Sequence, residues 1–139
     1  MPVASIAEAT KVISDRMESD SEGGEVRVVR LLLDGAELAA EIHEGRIWRL
    51  GVSTRGLRTR TGLGVGTALS ALLKLPKLQG EIGEGALYVW SPQLCGMSFR
   101  LSYEPQTDKD FRMNWNTRNL AALPRDVNVH SLLITGCAK

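Results

Sequence analysis

From Gly45 to Gly80 the chain contains no acidic residue, although it carries Arg46, Arg49, Arg55, Arg58, Arg60, Lys74 and Lys77. That absence excludes neutralisation within the segment, so any carboxylate partner must come from elsewhere in the fold. Histidines and aromatic residues are scarce too, at two histidines and 5% aromatics in 139 residues. Little material is therefore available for an acid–base network or an aromatic-lined cleft. No apolar run approaches the roughly 18 residues of a membrane span, and residues 1–9 lack the cationic start and apolar centre of a signal peptide. As written, the chain is expected to be soluble and unprocessed. Long polar tracts, internal repeats, linkers and low-complexity segments are all missing, and 43% apolar with 24% charged residues is a globular composition. The length suits a single domain over residues 1–139 with a core of its own. A net charge of +1 argues against general nucleic-acid binding, which usually needs a strongly basic domain or stripe.

The acid-free segment also holds Gly56, Gly62, Gly64 and Gly66 and the hydroxyls of Ser53, Thr54, Thr59, Thr61 and Thr67. Cationic donors, hydroxyls and a closely approachable backbone ahead of a helix start make an anion-binding surface. Its expected members are Arg55, Arg58 and Arg60, aided by the backbone near Gly64, Gly66 and Thr67. Alternation along an extended chain would place Arg58 and Arg60 on one face. The structural alternative is that the acidic N-terminal segment, with Glu8, Asp15, Glu18, Asp20, Glu22 and Glu25, or Glu81 or Glu84, folds over these arginines as ordinary ion pairs. The spacing Gly62-x-Gly64-x-Gly66 is not a dinucleotide fingerprint, and no phosphate-loop motif occurs, so no nucleotide cofactor is expected.

Ser5 followed by Glu8 reads as a capping box, and Ile6, Ala9, Ile13 and Met17 recur at helical spacing, which predicts a helix over 5–18. Asp34-Gly35 and Glu44-Gly45 then separate three β-type runs, 26–33, 36–43 and 46–53. In the middle run Leu38, Ala40 and Ile42 alternate with polar neighbours. Leu31, Leu32 and Leu33 are consecutive, which calls for a bulge or burial on both faces. Val65, Ala68, Leu69, Leu72 and Leu73 predict a second helix stopped by Pro76. A turn over 80–85, strands at 86–90 and 97–103, a surface loop at 104–116, a helical turn at 117–123 and a strand at 127–135 follow. The expected fold is α+β: a mainly antiparallel sheet with an N-terminal helix and a second helix after the three-strand meander, both on one face.

Cys95 and Cys137 match no zinc spacing, since only His43 and His130 could join them, and no metal site is expected. A disulfide would close a loop of about 42 residues and contribute on the order of 4 kcal/mol; two buried thiols acting as small hydrophobes are the alternative. A disulfide would imply an extracytoplasmic location, periplasmic or secreted; without it, a cytoplasmic one. Glu41 and His43, two apart on one strand face, form a candidate proton-transfer pair, although such pairs usually belong to a solvated face. His130, within an apolar strand, reads as hydrogen-bonded and partly buried. Trp48, Trp90, Trp115, Tyr88 and Tyr103 are expected mainly in the core; Trp115, between Asn114 and Asn116, is the expected exposed partner anchor.

The stretch from Arg58 to Leu73, the Cys95-Gly-Met-Ser-Phe99 segment and the terminal strand ending at Cys137 resemble uncharacterised bacterial secreted or lipoprotein domains. The likeness covers residues 45–137, and the helix after the glycines is also similar to helix-hairpin units of β-lactamase-inhibitor-like and outer-membrane-assembly lipoprotein folds. The resemblance implies an extracytoplasmic α+β domain with a disulfide and carries no activity. Together these observations predict a non-catalytic extracytoplasmic binding domain for an anionic ligand or protein partner. The rivals are a small enzyme using His43 with Glu41, or His130, and a structural subunit that dimerises through a sheet edge.

Overall fold

The computed structural model describes residues 11–19, 23–33, 35–83, 85–103 and 117–136. Turn chemistry organises the first half. Gly35 adopts φ 81, and Glu44 and Gly45 adopt φ 53 and φ 73, the left-handed pair that a two-residue hairpin turn requires. These turns join β2 (Glu25–Leu33), β3 (Ala36–His43) and β4 (Arg46–Val52) into an antiparallel meander, with Leu31 opposite Leu38 and Ala40 opposite Leu50. The expected alternation is present: Leu38, Ala40 and Ile42 are buried, while Glu37, Ala39 and Glu41 occupy the other face, half-buried. In β2, Val28 and Val29 are both buried, and its pairing with β3 runs without a register shift. Of the three consecutive leucines Leu31 is buried and Leu32 and Leu33 are half-buried, and a register shift falls on the β1 side, between Val12 opposite Leu31 and Ser14 opposite Arg30.

The expected α+β class with two helices is overturned. The described chain is one eight-stranded antiparallel sheet in the order β1-β2-β3-β4-β8-β7-β6-β5. The further strands are β1 (Lys11–Ser19), β5 (Gln79–Gly83), β6 (Ala86–Trp90), β7 (Met97–Leu101) and β8 (Val129–Thr135). Helical structure among the described residues is limited to α1 (Leu69–Leu72) and a 3-10 turn at Thr117–Ala122. Residues 11–18 of the expected N-terminal helix, with Ser19, form β1, paired with β2 from Lys11 opposite Leu32 to Ser19 opposite Glu25; residues 5–10 lie outside the described residues. Cross-strand ion pairs replace the helical face. Asp15 meets Arg27, with Nε and Nη2 donating to the two carboxylate oxygens at 2.8 and 2.6 Å. Glu18 accepts from Arg30 at 2.9 Å. The expected turn over 80–85 is also corrected: residues 79–83 form β5, paired with β6, and the reversal falls at Gly85, with φ 76.

The second helix is short because strand-like pairing claims its first turn. Ala68 is extended (φ −67, ψ 146), bridged to Asn128. The Thr67 carbonyl accepts from Val129 N–H at 2.9 Å, and Leu69 N–H donates to the Val127 carbonyl at 3.1 Å. Those groups cannot serve a helical ladder as well. The apolar face of the sheet, including Leu31, Leu38, Val52, Phe99 and Leu132, is covered by Leu63, Val65, Leu69, Leu72 and Leu120. Two irregular segments, rather than two helices, therefore close the core.

Candidate anion-binding connection

The segment from β4 to α1 is pinned before it can present its arginines. Thr54 Oγ1 accepts from Glu37 N–H at 2.9 Å, fixing the segment to β3 as it leaves β4. At the far end, Gly66 N–H donates to the Val129 carbonyl at 2.8 Å. Between these anchors the chain makes a small hairpin, with Arg58 bridged to Gly64 and Thr59 N–H donating to the Leu63 carbonyl at 2.8 Å. Gly62 N–H closes the turn onto the Thr59 carbonyl at 2.9 Å, and Thr59 Oγ1 accepts from Leu63 N–H at 3.0 Å. Gly64 is required by space: an added Cβ would stand 2.5 Å from the Leu57 carbonyl oxygen. Gly66 is required by conformation, with φ 90; an added Cβ would stand 2.8 Å from Arg55 Cζ, the end of a flexible exposed side chain that can move aside.

This geometry keeps the arginines of the expected site and removes its backbone component. Gly64 N–H donates to Thr67 Oγ1 at 2.9 Å, Thr67 N–H to the Gly64 carbonyl at 3.1 Å, and Gly66 N–H to Val129. All three amides are thus engaged inside the protein, and a four-residue helix supplies no site at its start. Arg58 and Arg60 do not alternate on an extended strand, because Arg60 sits in the turn that Thr59 and Gly62 close. Arg58 Nη1 donates to the Gly62 carbonyl at 2.8 Å, and the Arg55 guanidinium lies against Gly66. Arg55, Arg58 and Arg60 are all exposed, and among the described residues none of the three forms an ion pair. Of the carboxylates expected to cover them, Asp15 is committed to Arg27 and Glu18 to Arg30, Glu25 is exposed on β2, and Glu8, Asp20 and Glu22 lie outside the described residues. Arg27 holds the Asp15 carboxyl below its ordinary value, through the hydrogen bond first and then the nearby charge. Glu81 is unpaired and exposed on β5, and Glu84 lies outside the described residues.

Beneath the hairpin is a feature that sequence reasoning missed. A cavity of about 200 Å³ separates the sheet from the segment Leu57–Thr59, with a floor that includes Leu38, Leu50, Leu132 and Ile134. The available signal was Leu57, an apolar residue set between Gly56 and Arg58 in an otherwise polar run.

The catalytic candidates do not come together. Glu41 is bound by Arg49, which donates through both Nε and Nη2, so it is not free to serve His43. His43 is exposed and stands 3.9 Å from Glu44. His130 is exposed, not partly buried as its apolar surroundings suggested, because β8 turns that position away from the core. The register Leu38–Val52–Leu132 places His43 and His130 toward opposite ends of the sheet. No group of three or more His, Cys, Asp or Glu suited to a metal occurs among the described residues.

Trp115 lies outside the described residues. Among the described residues the exposed tryptophan is Trp48, 58% accessible, with the Arg49 guanidinium 4.8 Å from its ring centroid. Tyr88 and Trp90 are half-buried on the other face of the sheet, lining a groove of about 300 Å³ with Arg49, Glu81, Ser98 and Leu133. Cys137, the expected disulfide partner of Cys95, lies outside the described residues. No helix among the described residues is long and apolar enough to cross a membrane.

No family model and no curated protein matches the chain. Among solved structures it is similar to the crystal structure of the uncharacterized protein yfeY from Escherichia coli. The TM-score is 0.61 and the identity 16%, over 96% of this chain and 87% of that one. At that identity the likeness speaks for a shared fold, an extended antiparallel sheet, and leaves function to the residues.

Proposed function

We propose that the protein is a non-catalytic binding domain that acts outside the cytoplasm and holds an anionic group at the connection between β4 and α1. The observation that carries this reading is the contrast among its arginines. Arg27, Arg30 and Arg49 each hold a carboxylate, whereas Arg55, Arg58 and Arg60 hold none among the described residues. The three cations fall between residues 55 and 60 of a short, pinned segment, and an anion bound there would accept from their free donors. Titration of phosphate, sulfate and anionic glycans at low salt, followed by amide shifts, should perturb residues 55–62. The Arg58→Ala/Arg60→Ala variant should lose most of the response. Silence in the parent, or an unchanged response in the variant, rejects the anion site.

The extracytoplasmic assignment rests on the proposed Cys95–Cys137 bond. Thr135 N–H donates to the Gly96 carbonyl at 2.7 Å, so the end of β8 runs beside the residue that follows Cys95. Cys137 comes two positions later in the sequence. Titration of denatured, unreduced protein should find no free thiol; two reactive thiols in protein purified without reductant would remove both the bond and the location argued from it.

A second reading is favoured by β1. This edge strand exposes Val12 (46%), Ile13 (48%) and Met17 (56%), the kind of edge that pairs with another chain. Sedimentation should then show a dimer that Ile13→Lys dissociates; a monomer at high concentration eliminates this reading.

A further inference from the structure

We propose that the ligand of the basic connection is an anionic amphiphile, with its head at the arginine hairpin and a short alkyl or acyl chain in the cavity below. This rests on the anion-site reading and adds the chemical class of the ligand. The hairpin that presents Arg58 and Arg60 also roofs the cavity, because Leu57, Arg58 and Thr59 all line it. The floor is apolar: Leu38 and Leu50 are 5% and 6% exposed and Leu132 is 4% exposed, and Ile134 packs against them. Arg58 joins the two environments. Its stem lines the apolar space, and its Nη1 is held by the Gly62 carbonyl at the hairpin tip, leaving the remaining guanidinium donors for a head group.

Volume and charge limit the occupant. The cavity, at about 200 Å³, is somewhat larger than the ~150 Å³ apolar cavity that stays dry and takes up benzene. A chain of about six carbons is therefore the right scale, and a long lipid tail is not. Its wall offers no buried charged partner, so a polar group has no reason to enter. The phosphate, sulfate or carboxylate end remains at the cationic rim. The aromatic groove on the opposite face offers an anionic head no such partner, since Arg49 there already holds Glu41 and its other charged residue, Glu81, is itself acidic.

The test uses three probes below their aggregation limits: inorganic phosphate, hexyl phosphate and 1-hexanol. Binding is followed by calorimetry and by methyl shifts of the leucines in the cavity. Hexyl phosphate should bind at least tenfold tighter than phosphate and shift the methyls of Leu38, Leu50 and Leu132, and hexanol should bind more weakly than hexyl phosphate. Filling the cavity with Ile134→Phe should erase the tenfold gain while leaving the phosphate response intact. Leu57→Trp, on the less buried roof, repeats the measurement if Ile134→Phe fails to fold. Phosphate binding with no gain from the hexyl chain overturns the amphiphile and spares the anion site. Hexanol binding as tightly as hexyl phosphate overturns it from the other side, and no binding by any probe rejects both readings.

Discussion

The β1–β2 hairpin and the connection between β4 and α1 both carry several arginines, and they use them in opposite ways. On the hairpin, Arg27 and Arg30 face Asp15 and Glu18 across the strand pair, and charge holds together a strand that the core hardly reaches. On the connection the relation is reversed. Leu63, Val65, Leu69 and Leu72 bury the segment against the sheet, so its hold on the sheet does not depend on ion pairs from its arginines. A charged residue is thus available for binding where apolar contacts already secure its backbone.

The largest test of this contrast truncates an apolar side chain in each region. Leu72→Ala, at a fully buried position, should cost about 2–5 kcal/mol. Met17→Ala on exposed β1 should stay within roughly 0.5 kcal/mol. Similar shifts in denaturant midpoint would erase the distinction. Next in size, Gly64→Ala forces a Cβ against the Leu57 carbonyl and should destabilise by about 1–3 kcal/mol. Amide shifts should be confined to 57–67, with β1 untouched; a change spread across β1 would show the regions to be coupled.

A smaller difference separates the arginines themselves. Arg30→Ala removes the partner of Glu18 and should cost on the order of 1 kcal/mol. Arg58→Ala should change stability by less than about 0.5 kcal/mol; a greater loss for Arg58→Ala would mean that it serves the fold. The smallest effect concerns pH. Because Arg27 lowers the Asp15 pKa in the folded state, its contribution is complete above the ordinary value of 3.8 and is lost as pH falls through the lower folded value. Amide exchange in β1 should accelerate over that acidic range, modestly, since the pair is exposed. In Asp15→Asn this acceleration should be absent; its persistence would assign the response to another group.

The acid-free composition of 45–80 singled out the connection between β4 and α1, and its glycines marked a chain that packs closely on itself. The composition could not show that Gly64, Gly66 and Thr67 would spend their amides within the fold, because the partner of Gly66, Val129, is distant in sequence. The N-terminal reading failed for a related reason. Ile13 and Met17, four apart, fit one helical face, yet both stand on β1, which pairs with β2 across an antiparallel ladder. A bulge between Val12 and Ser14 shifts the register and blurs the period-two pattern that would have identified a strand.

The sequence by itself determined the β2–β3–β4 meander, because a positive-φ turn and period-two alternation act between neighbours in the chain. Tertiary structure decided the placement of β8 between β4 and β7 and the conversion of the expected second helix into a short turn. It also decided the cavity beneath the arginines. Each depends on hydrogen bonds or packing between distant segments, and no local preference encodes which of them will meet.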